Sequence, residues 1–180
     1  MHRQGHLGLA LAFVAPYSYF LATSVGMAFA LGAVGIAVAV SDLPDKDRHI
    51  PGFSHRGFSH TLWAALIVSS ATAGAGYVLT ARLPQTKSTS IHLIETLATA
   101  SPVGMAWFVA LAALLGYVSH LFGDMLTVGS DYYGMNVEPF APISTVSFQL
   151  GLTKADSKFW NGFLLFIGTV ATAGSLYLTA

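Results

Sequence analysis

Long apolar runs separated by short polar segments dominate the sequence. A membrane-spanning helix needs about 20 mostly apolar residues. Four runs come close to that length, and a shorter one near the start is interrupted by Pro16. In chain order the five predicted spans are residues 7–20, 22–40, 61–81, 102–126 and 159–179. The pattern therefore predicts one all-α domain, residues 1–180, folded as a polytopic membrane bundle of about five helices.

The composition agrees with this interpretation and excludes some functions. Hydrophobic residues make up 54% of the chain and charged residues 9%, against about 25% charged in a typical soluble domain. Eight acidic residues balance eight basic ones, so no net charge favours binding to nucleic acid. The chain has no cysteine, which excludes a disulfide framework and thiolate metal ligands.

Counting spans places the polar segments together. If the chain crosses the membrane five times, the segments before the first span, between the second and third, and between the fourth and fifth share one face. That face then collects most of the charged residues and histidines: His6, residues 42–60, His120, Asp124 and residues 131–156. Most bases lie there too, whereas Arg82 and Lys87 lie opposite. Short loops rich in Lys and Arg stay in the cytoplasm, so we expect the shared face to be cytoplasmic.

The first candidate cluster is the segment SDLPDKDRH, residues 41–49. Its three aspartates are Asp42, Asp45 and Asp47. Pro44 ends the preceding helix and favours a turn. Carboxylates this close repel one another unless a cation neutralises them. A bound metal ion is one solution, and a solvated helix end with Lys46 and Arg48 as counter-ions is the alternative.

The second candidate is GFSHRGFSH, residues 52–60, in which the tetrapeptide Gly-Phe-Ser-His occurs twice. Ser59 is a suitable N-cap for a helix that begins near His60. Arg56 could bind an anion through a bidentate fork. His55 and His60 would diverge by about 140° on one helix, so they converge only if His55 lies in the turn. Simple anchoring of the helix at the interface is the alternative.

The third candidate is a His–Asp pair in the fourth span. His120 and Asp124 are four residues apart, which puts both side chains on one face of a helix. Imidazole nitrogens and carboxylate oxygens are zinc ligands, although the pair could also form a plain hydrogen bond. Ionisable residues inside a membrane span are costly and usually functional. The span count adds His6 to the same face.

Taken together, these clusters predict a metal site with nitrogen and oxygen ligands. Zinc suits such ligands best, with manganese or iron as second choices. The predicted ligands are His6, Asp45, His55, His60, His120 and Asp124. These six residues are more than the four ligands of a closed structural zinc site, which indicates a site with one or two ions and open positions for water. A metal-bound water would then attack an ester. Arg56 would bind the anionic substrate, and Asp42 and Asp47 are further carboxylates for ligation or for the role of general base.

The motifs DLPDKD, HRGFSHTL and GYVSHLFGDMLT, in this order between apolar spans, resemble the membrane-bound metal-dependent hydrolase family, whose best-known bacterial member is a LexA-regulated inner-membrane protein. The resemblance covers the chain from His6 to about Thr127. It implies a hydrolase in the inner membrane, in contact with membrane lipids. The substrate class we expect is a phosphoester, with a phospholipid headgroup as one candidate.

A more distant similarity is to zinc-dependent phospholipase C and the P1-type nucleases. Those enzymes use an early His, an Asp, a His some fifteen positions later, and a downstream H-x-x-x-D. The matching residues here are His6, Asp45, His60, His120 and Asp124. No histidine follows His120, so a complete three-metal site of that kind is not expected unless Asp42, Asp47 or His55 substitutes for the missing ligands.

Two other classes of function fit the same residues. Intramembrane His and Asp residues also build ion and proton pathways, so a metal-ion or proton-coupled transporter is an alternative. The sequence shows no long internal repeat of the kind that transporters often carry. The other alternative is a non-enzymatic membrane protein with a structural metal.

Overall fold

The computed structural model describes residues 1–49, 57–82, 101–128 and 136–179. Within these ranges the fold consists of five long helices: α1 (Arg3–Ser24), α2 (Met27–Ser41), α3 (Leu62–Arg82), α4 (Pro102–Leu126) and α5 (Lys158–Tyr177). All five are long and apolar enough to cross a membrane if the α2 span is continued to Arg48. The prediction of an all-α membrane bundle of about five helices is confirmed.

Helix α1 is longer than the sequence pattern predicts. It runs from Arg3 to Ser24 and passes through Pro16 without ending. Neighbouring helices and hydroxyl side chains can satisfy the backbone around a proline in a membrane helix. The first span is therefore complete, and the alternation of chain direction that brings the polar segments to one end of the bundle holds.

Helices α1 and α4 lie at the centre of the bundle. Helix α4 packs against α1, α2 and α3, and helix α1 packs against α2, α4 and α5. Close backbone approach makes two of these contacts possible. Gly116 of α4 lies on the backbone of Ala37 in α2, and Gly168 of α5 lies on the backbone of Gly8 in α1, so a Cβ at either glycine would collide with main-chain atoms. Small residues at helix interfaces are typical of membrane bundles.

Two short 3₁₀ helices lie at the end of the bundle where α2 ends and α3 begins. They span Pro44–His49 and Phe58–His60. Helix α3 starts only at Leu62, and the Thr61 hydroxyl accepts a hydrogen bond from the Ala64 N–H at 3.2 Å. The prediction that Ser59 caps this helix is therefore wrong, because the residues before Thr61 form a 3₁₀ turn and not the first turn of α3.

The segment between α4 and α5 folds back under the same end of the bundle. Its described part, residues 127–128 and 136–157, forms isolated bridges but no β-strand. The Leu150 N–H donates to the Met125 carbonyl at 2.7 Å, and the Leu62 N–H donates to the Pro139 carbonyl at 2.8 Å. We call this end, which carries His6, Pro44–His49, His60 and Asp124, the polar end. The sequence also favours a short surface helix at residues 91–99 and an interfacial loop with Tyr132 and Tyr133 in the aromatic belt. These residues lie outside the described part of the chain.

Candidate metal centre

The 3₁₀ helix Pro44–His49 decides which side chains of this segment are buried and which are exposed. Residues three apart eclipse one another in a 3₁₀ helix, so Pro44 and Asp47 share one face while Asp45 and Arg48 share the next. Pro44 and Asp47 are buried against the bundle. The Asp45 side chain is 33% exposed and that of Arg48 is 55% exposed. The turn thus holds Asp45 at the boundary between the bundle and its surroundings.

Four predicted ligands meet at the polar end. Asp45, His60, His120 and Asp124 each offer one ligand atom, and these atoms all lie within 4.8 Å of one another. Asp124 Oδ2 is 3.3 Å from His60 Nε2 and 3.5 Å from His120 Nε2. Asp45 Oδ1 is 3.7 Å from each of the same two nitrogens. We call these four residues the ligand cluster.

The spacing within the ligand cluster fits a metal ion better than direct hydrogen bonds. Bonds of about 2.0–2.2 Å in a tetrahedral zinc site put neighbouring ligand atoms about 3.3–3.6 Å apart. The four nitrogen–oxygen distances run from 3.3 to 3.7 Å. A hydrogen bond between nitrogen and oxygen is about 2.7–3.2 Å long. The plain His120–Asp124 hydrogen bond, left open by the sequence, is therefore disfavoured by the 3.5 Å separation.

The position of His120 fixes which of its nitrogens can bind a metal. His120 Nδ1 lies 2.7 Å from the Ser41 carbonyl oxygen at the end of α2. A carbonyl only accepts, so Nδ1 must carry the proton, and a neutral ring then presents the Nε2 lone pair to the ligand cluster. Within the described part of the chain, His120 Nε2 and Asp45 Oδ1 are buried and have no hydrogen-bond partner. Such orphaned polar atoms call for an explanation, and a cation between them supplies one.

His60 is oriented by a chain of two hydrogen bonds. The Ser59 hydroxyl donates to Asp47 Oδ2 at 2.6 Å, so its oxygen is left to accept from His60 Nδ1 at 3.0 Å. The Tyr117 hydroxyl donates to the Ser59 carbonyl at 2.5 Å and holds the turn against α4. His60 Nε2 consequently faces the ligand cluster. Metal-binding histidines commonly donate their other N–H in this way.

The charge balance around His60 favours its protonated form when no metal is bound. Burial by itself lowers the pKa of His60, but hydrogen bonds and charges from Asp124, Asp45 and Asp47 outweigh that effect and raise the pKa above its usual value. A metal ion at His60 Nε2 would take the place of that proton.

His6 adds a further imidazole beside the ligand cluster. Its ring stacks on that of His120, with centroids 3.8 Å apart and planes 9° apart. His6 is 2% exposed, and neither ring nitrogen has a hydrogen-bond partner within the described ranges. Its Nε2 lies 3.5 Å from Asp124 Oδ1, and the Met1 amino nitrogen lies 2.9 Å from the same oxygen. Asp124 Oδ1 thus faces His6 and the Met1 amino group, whereas Oδ2 faces His60 and His120.

The remaining candidates are placed differently. Asp42 follows the last turn of α2, and its Oδ2 accepts from Arg3 Nε at 2.8 Å; it is not among the four grouped ligands. Asp47 supports His60 through Ser59, an arrangement that the sequence analysis missed. Only the position of Ser59 next to a candidate ligand could have suggested it. His55 and Arg56 lie outside the described residues.

Comparison with protein families gives a match over almost the whole chain. Residues 1–179 match the family model described as YdjM inner membrane protein. Comparisons with curated proteins and with solved structures found no significant match. The chain therefore belongs to the YdjM inner membrane protein family, and the family match and five apolar helices together identify an integral membrane protein.

Proposed function

We propose that this member of the YdjM inner membrane protein family is a metal-dependent hydrolase that cleaves a phosphoester at the membrane surface. The observation that carries the proposal is the ligand cluster, in which two imidazole nitrogens and two carboxylate oxygens lie within 4.8 Å of one another, with nitrogen–oxygen distances of 3.3–3.7 Å. The polar end, by its basic residues, would face the cytoplasm.

Asp45, His60, His120 and Asp124 would hold the principal ion. Two nitrogen and two oxygen ligands without sulfur suit zinc, and then manganese or iron. When bound, such an ion activates water for attack and polarises a phosphoryl oxygen. His6 Nε2 and Asp124 Oδ1, on the other side of the Asp124 carboxylate, would take part in holding a second ion.

The other residues would position these ligands and receive the substrate. The Ser41 carbonyl and the Ser59 hydroxyl hold the two imidazoles with their Nε2 atoms toward the ligand cluster. Asp45 is the most exposed member, so water and substrate would arrive from its side. A site at the bundle end lies at the boundary of lipid and water, where the headgroup of a phospholipid is within reach. Arg56 remains our sequence-based candidate for binding the anion, and Asp42 remains a candidate general base.

Metal content tests the ligand assignment directly. The protein is purified in detergent, loaded with zinc, freed of excess metal, and analysed for zinc per chain. His120→Ala and Asp124→Ala should each lose the principal ion, and His6→Ala should lower the content only if a second ion binds. Asp42→Asn is the matched control, because it changes a carboxylate at the same end that lies outside the ligand cluster. Unchanged zinc in both His120→Ala and Asp124→Ala would contradict the site.

Turnover tests the reaction class. The zinc-loaded protein is assayed against a panel of phosphodiesters, phosphomonoesters and short-chain phospholipids, with His120→Ala as the inactive reference. Hydrolysis that disappears in this variant supports the proposal. Metal flux in proteoliposomes without turnover would instead indicate transport, and metal content with neither activity would indicate a structural ion.

A further inference from the structure

An exposed apolar segment lies at the polar end, between α4 and α5. Five of its side chains are large, apolar and between 43% and 76% exposed: Ile143, Val146, Phe148, Leu150 and Leu152. No charge makes this surface soluble, because residues 139–153 contain no Asp, Glu, Lys or Arg. Exposed apolar surface of this kind marks a region that contacts a membrane or a partner. We call residues 143–152 the apolar segment.

The backbone of the apolar segment is tied to the last residues of α4. The Leu150 N–H donates to the Met125 carbonyl at 2.7 Å, and the Leu152 N–H donates to the Leu126 carbonyl at 2.8 Å. The last carbonyls of a helix have no partner within the helix itself, so the segment supplies the donors that α4 lacks. Backbone groups must be satisfied in this way where lipid replaces water.

The length of α4 places the apolar segment at the surface of the bilayer. The 25 residues of α4 span about 37 Å, or about 35 Å at a typical tilt of about 20°. That length is greater than the apolar core of about 30 Å and less than the roughly 40–45 Å that includes the headgroup layers. The end of α4 therefore reaches a headgroup layer, and the segment bound to it lies at the same depth.

Two tryptophans mark the same depth. Trp63 lies in the first turn of α3, and its Nε1–H donates to the Phe140 carbonyl at 3.4 Å, close to the start of the apolar segment. Trp160 lies in the first turn of α5, which begins soon after the segment ends. Tryptophan is enriched where the membrane meets water. Both indole rings thus indicate that the apolar segment lies at the lipid–water boundary.

The apolar segment also continues the lipid-facing surface of the helices. Phe148 contacts Phe140 edge to face, with ring centroids 6.3 Å apart. Both rings line an apolar cavity of about 230 Å³ together with Val118, Phe122 and Met125 of α4. Phe122 is itself 37% exposed. The apolar surface of α4 therefore runs into the segment without a polar boundary.

Neighbouring side chains of the segment have different surroundings. The N–H groups of Phe148 and Leu150 both donate to carbonyls of other residues, and side chains two residues apart in an extended chain point to one side. The intervening Ser147 and Gln149 side chains instead hydrogen-bond polar partners, each at 3.3 Å. One side of the segment is thus apolar and the other is polar, which suits the boundary between acyl chains and headgroups.

We propose that the apolar segment is an interfacial anchor, which inserts its apolar side chains among the acyl chains of the membrane that holds the bundle. Its continuity with the lipid-facing surface of α4 favours lipid over a protein partner. The anchor would hold the end of α4, and with it the polar end, at the level of the headgroups. This inference is independent of the proposed function, because it concerns the depth of the polar end and not its chemistry.

Spin labelling in lipid nanodiscs measures the depth of individual side chains. The chain has no cysteine, so each single-cysteine variant carries one label and needs no other substitution. Labels at Phe148→Cys and Leu150→Cys should be more accessible to oxygen than to a water-soluble nickel chelate, whereas a label at Ser147→Cys should show the reverse order. Ile67→Cys, at a position 58% exposed within α3, is the lipid reference, and Lys154→Cys is the water reference.

Photolabelling of the unmodified protein gives a second measurement that depends on no variant. Wild-type protein in nanodiscs is irradiated with a phospholipid that carries a diazirine in its acyl chain, and the labelled positions are found by mass spectrometry. Residues 143–152 should be labelled, and residues 154–157 should not.

Each result decides for or against the anchor. Lipid-like accessibility of the labels at positions 148 and 150, with acyl-chain labelling of the wild type, supports it. Accessibility equal to that of Lys154→Cys at both positions overturns it. Shielding of both labels from oxygen and from nickel also overturns it, because a second copy or another protein would then cover the segment. If the cysteine variants do not fold, absence of photolabelling at residues 143–152 in the wild type overturns it.

Discussion

Replacing Ser59 by alanine tests whether the hydrogen-bond chain behind His60 tunes the metal site. The substitution removes a bond of 2.6 Å to Asp47 and one of 3.0 Å from His60 Nδ1. Loss of such supporting partners typically lowers metal affinity about 10- to 100-fold, which corresponds to about 1.4–2.7 kcal/mol. Asp47 Oδ2 already lies 3.5 Å from His60 Nδ1, so a shift of less than about 1 Å would let it accept directly at ordinary hydrogen-bond length. We therefore expect the zinc affinity of Ser59→Ala to fall about tenfold, near the lower end of that range.

The double variant Ser59→Ala with Asp47→Ala removes that compensation. Its zinc affinity should fall toward the upper limit, about a hundredfold. Zinc affinity is measured by competition with a chromophoric chelator, with protein in detergent at fixed pH. Ser41→Ala is the matched control. The Ser41 hydroxyl donates to the Val38 carbonyl, while the bond that holds His120 uses the Ser41 backbone carbonyl, so this variant should bind zinc as the wild type does. Equal affinities of wild type and double variant, or an equal loss in Ser41→Ala, would refute the reasoning.

Three further predictions concern pH and packing. Neighbouring carboxylates raise the pKa of His60 above 6.5, so protonated His60 stabilises the metal-free fold fully below pH 6.5, and this stabilisation is lost as pH rises through the raised pKa. Zinc binding shows the opposite trend, because zinc replaces the proton and binds more tightly as pH rises. Thermal unfolding temperatures measured across this pH range should therefore fall with pH in the presence of chelator and rise with pH in the presence of zinc. Gly168→Ala should lower the free energy of unfolding by about 1–3 kcal/mol, because its Cβ overpacks the α1–α5 contact. Gly174→Ala in the same helix, where a Cβ meets nothing within 4 Å, should leave it unchanged. Unfolding in mixed detergent measures both. Thr61→Ala should cost about 1 kcal/mol by removing the cap of α3, and an unchanged unfolding midpoint would contradict that role.

The apolar pattern predicted the architecture because each span is long enough to be recognised by itself. Five runs imply an odd number of crossings, and that parity alone places His6, Asp45, His60 and the His120–Asp124 pair at one end. The weakest run was the one containing Pro16, and α1 nevertheless continues through it. A sequence pattern scores proline as a helix breaker, whereas packing inside a bundle can satisfy the carbonyl that proline leaves free.

The details of the site depend on local geometry that periodicity does not encode. Ser59 appeared to be a helix cap because it precedes an apolar run, but the actual cap is Thr61, two residues later. That small offset frees the Ser59 hydroxyl to connect His60 with Asp47. Arg48 was expected as a counter-ion for the aspartates, and it does pair with Asp45. Which of the three aspartates it meets could not be predicted, because the period of three that aligns it with Asp45 exists only once the segment is known to be a 3₁₀ helix.

The ligand cluster also joins three elements of the fold. His120 and Asp124 belong to α4, Asp45 to the turn after α2, and His60 to the turn before α3. Without a cation, the repulsion between the carboxylates of Asp45 and Asp124 is offset by the two imidazoles between them, by the Met1 amino group at Asp124 and by Arg48 at Asp45. An ion that binds the folded state alone stabilises it by an amount that grows with its concentration relative to its Kd. Removing the metal should therefore increase amide hydrogen exchange first at Pro44–His49 and Phe58–His60. The α1–α5 contact around Gly8 and Gly168 involves no residue of the ligand cluster. Its amides should exchange at the same rate with and without metal.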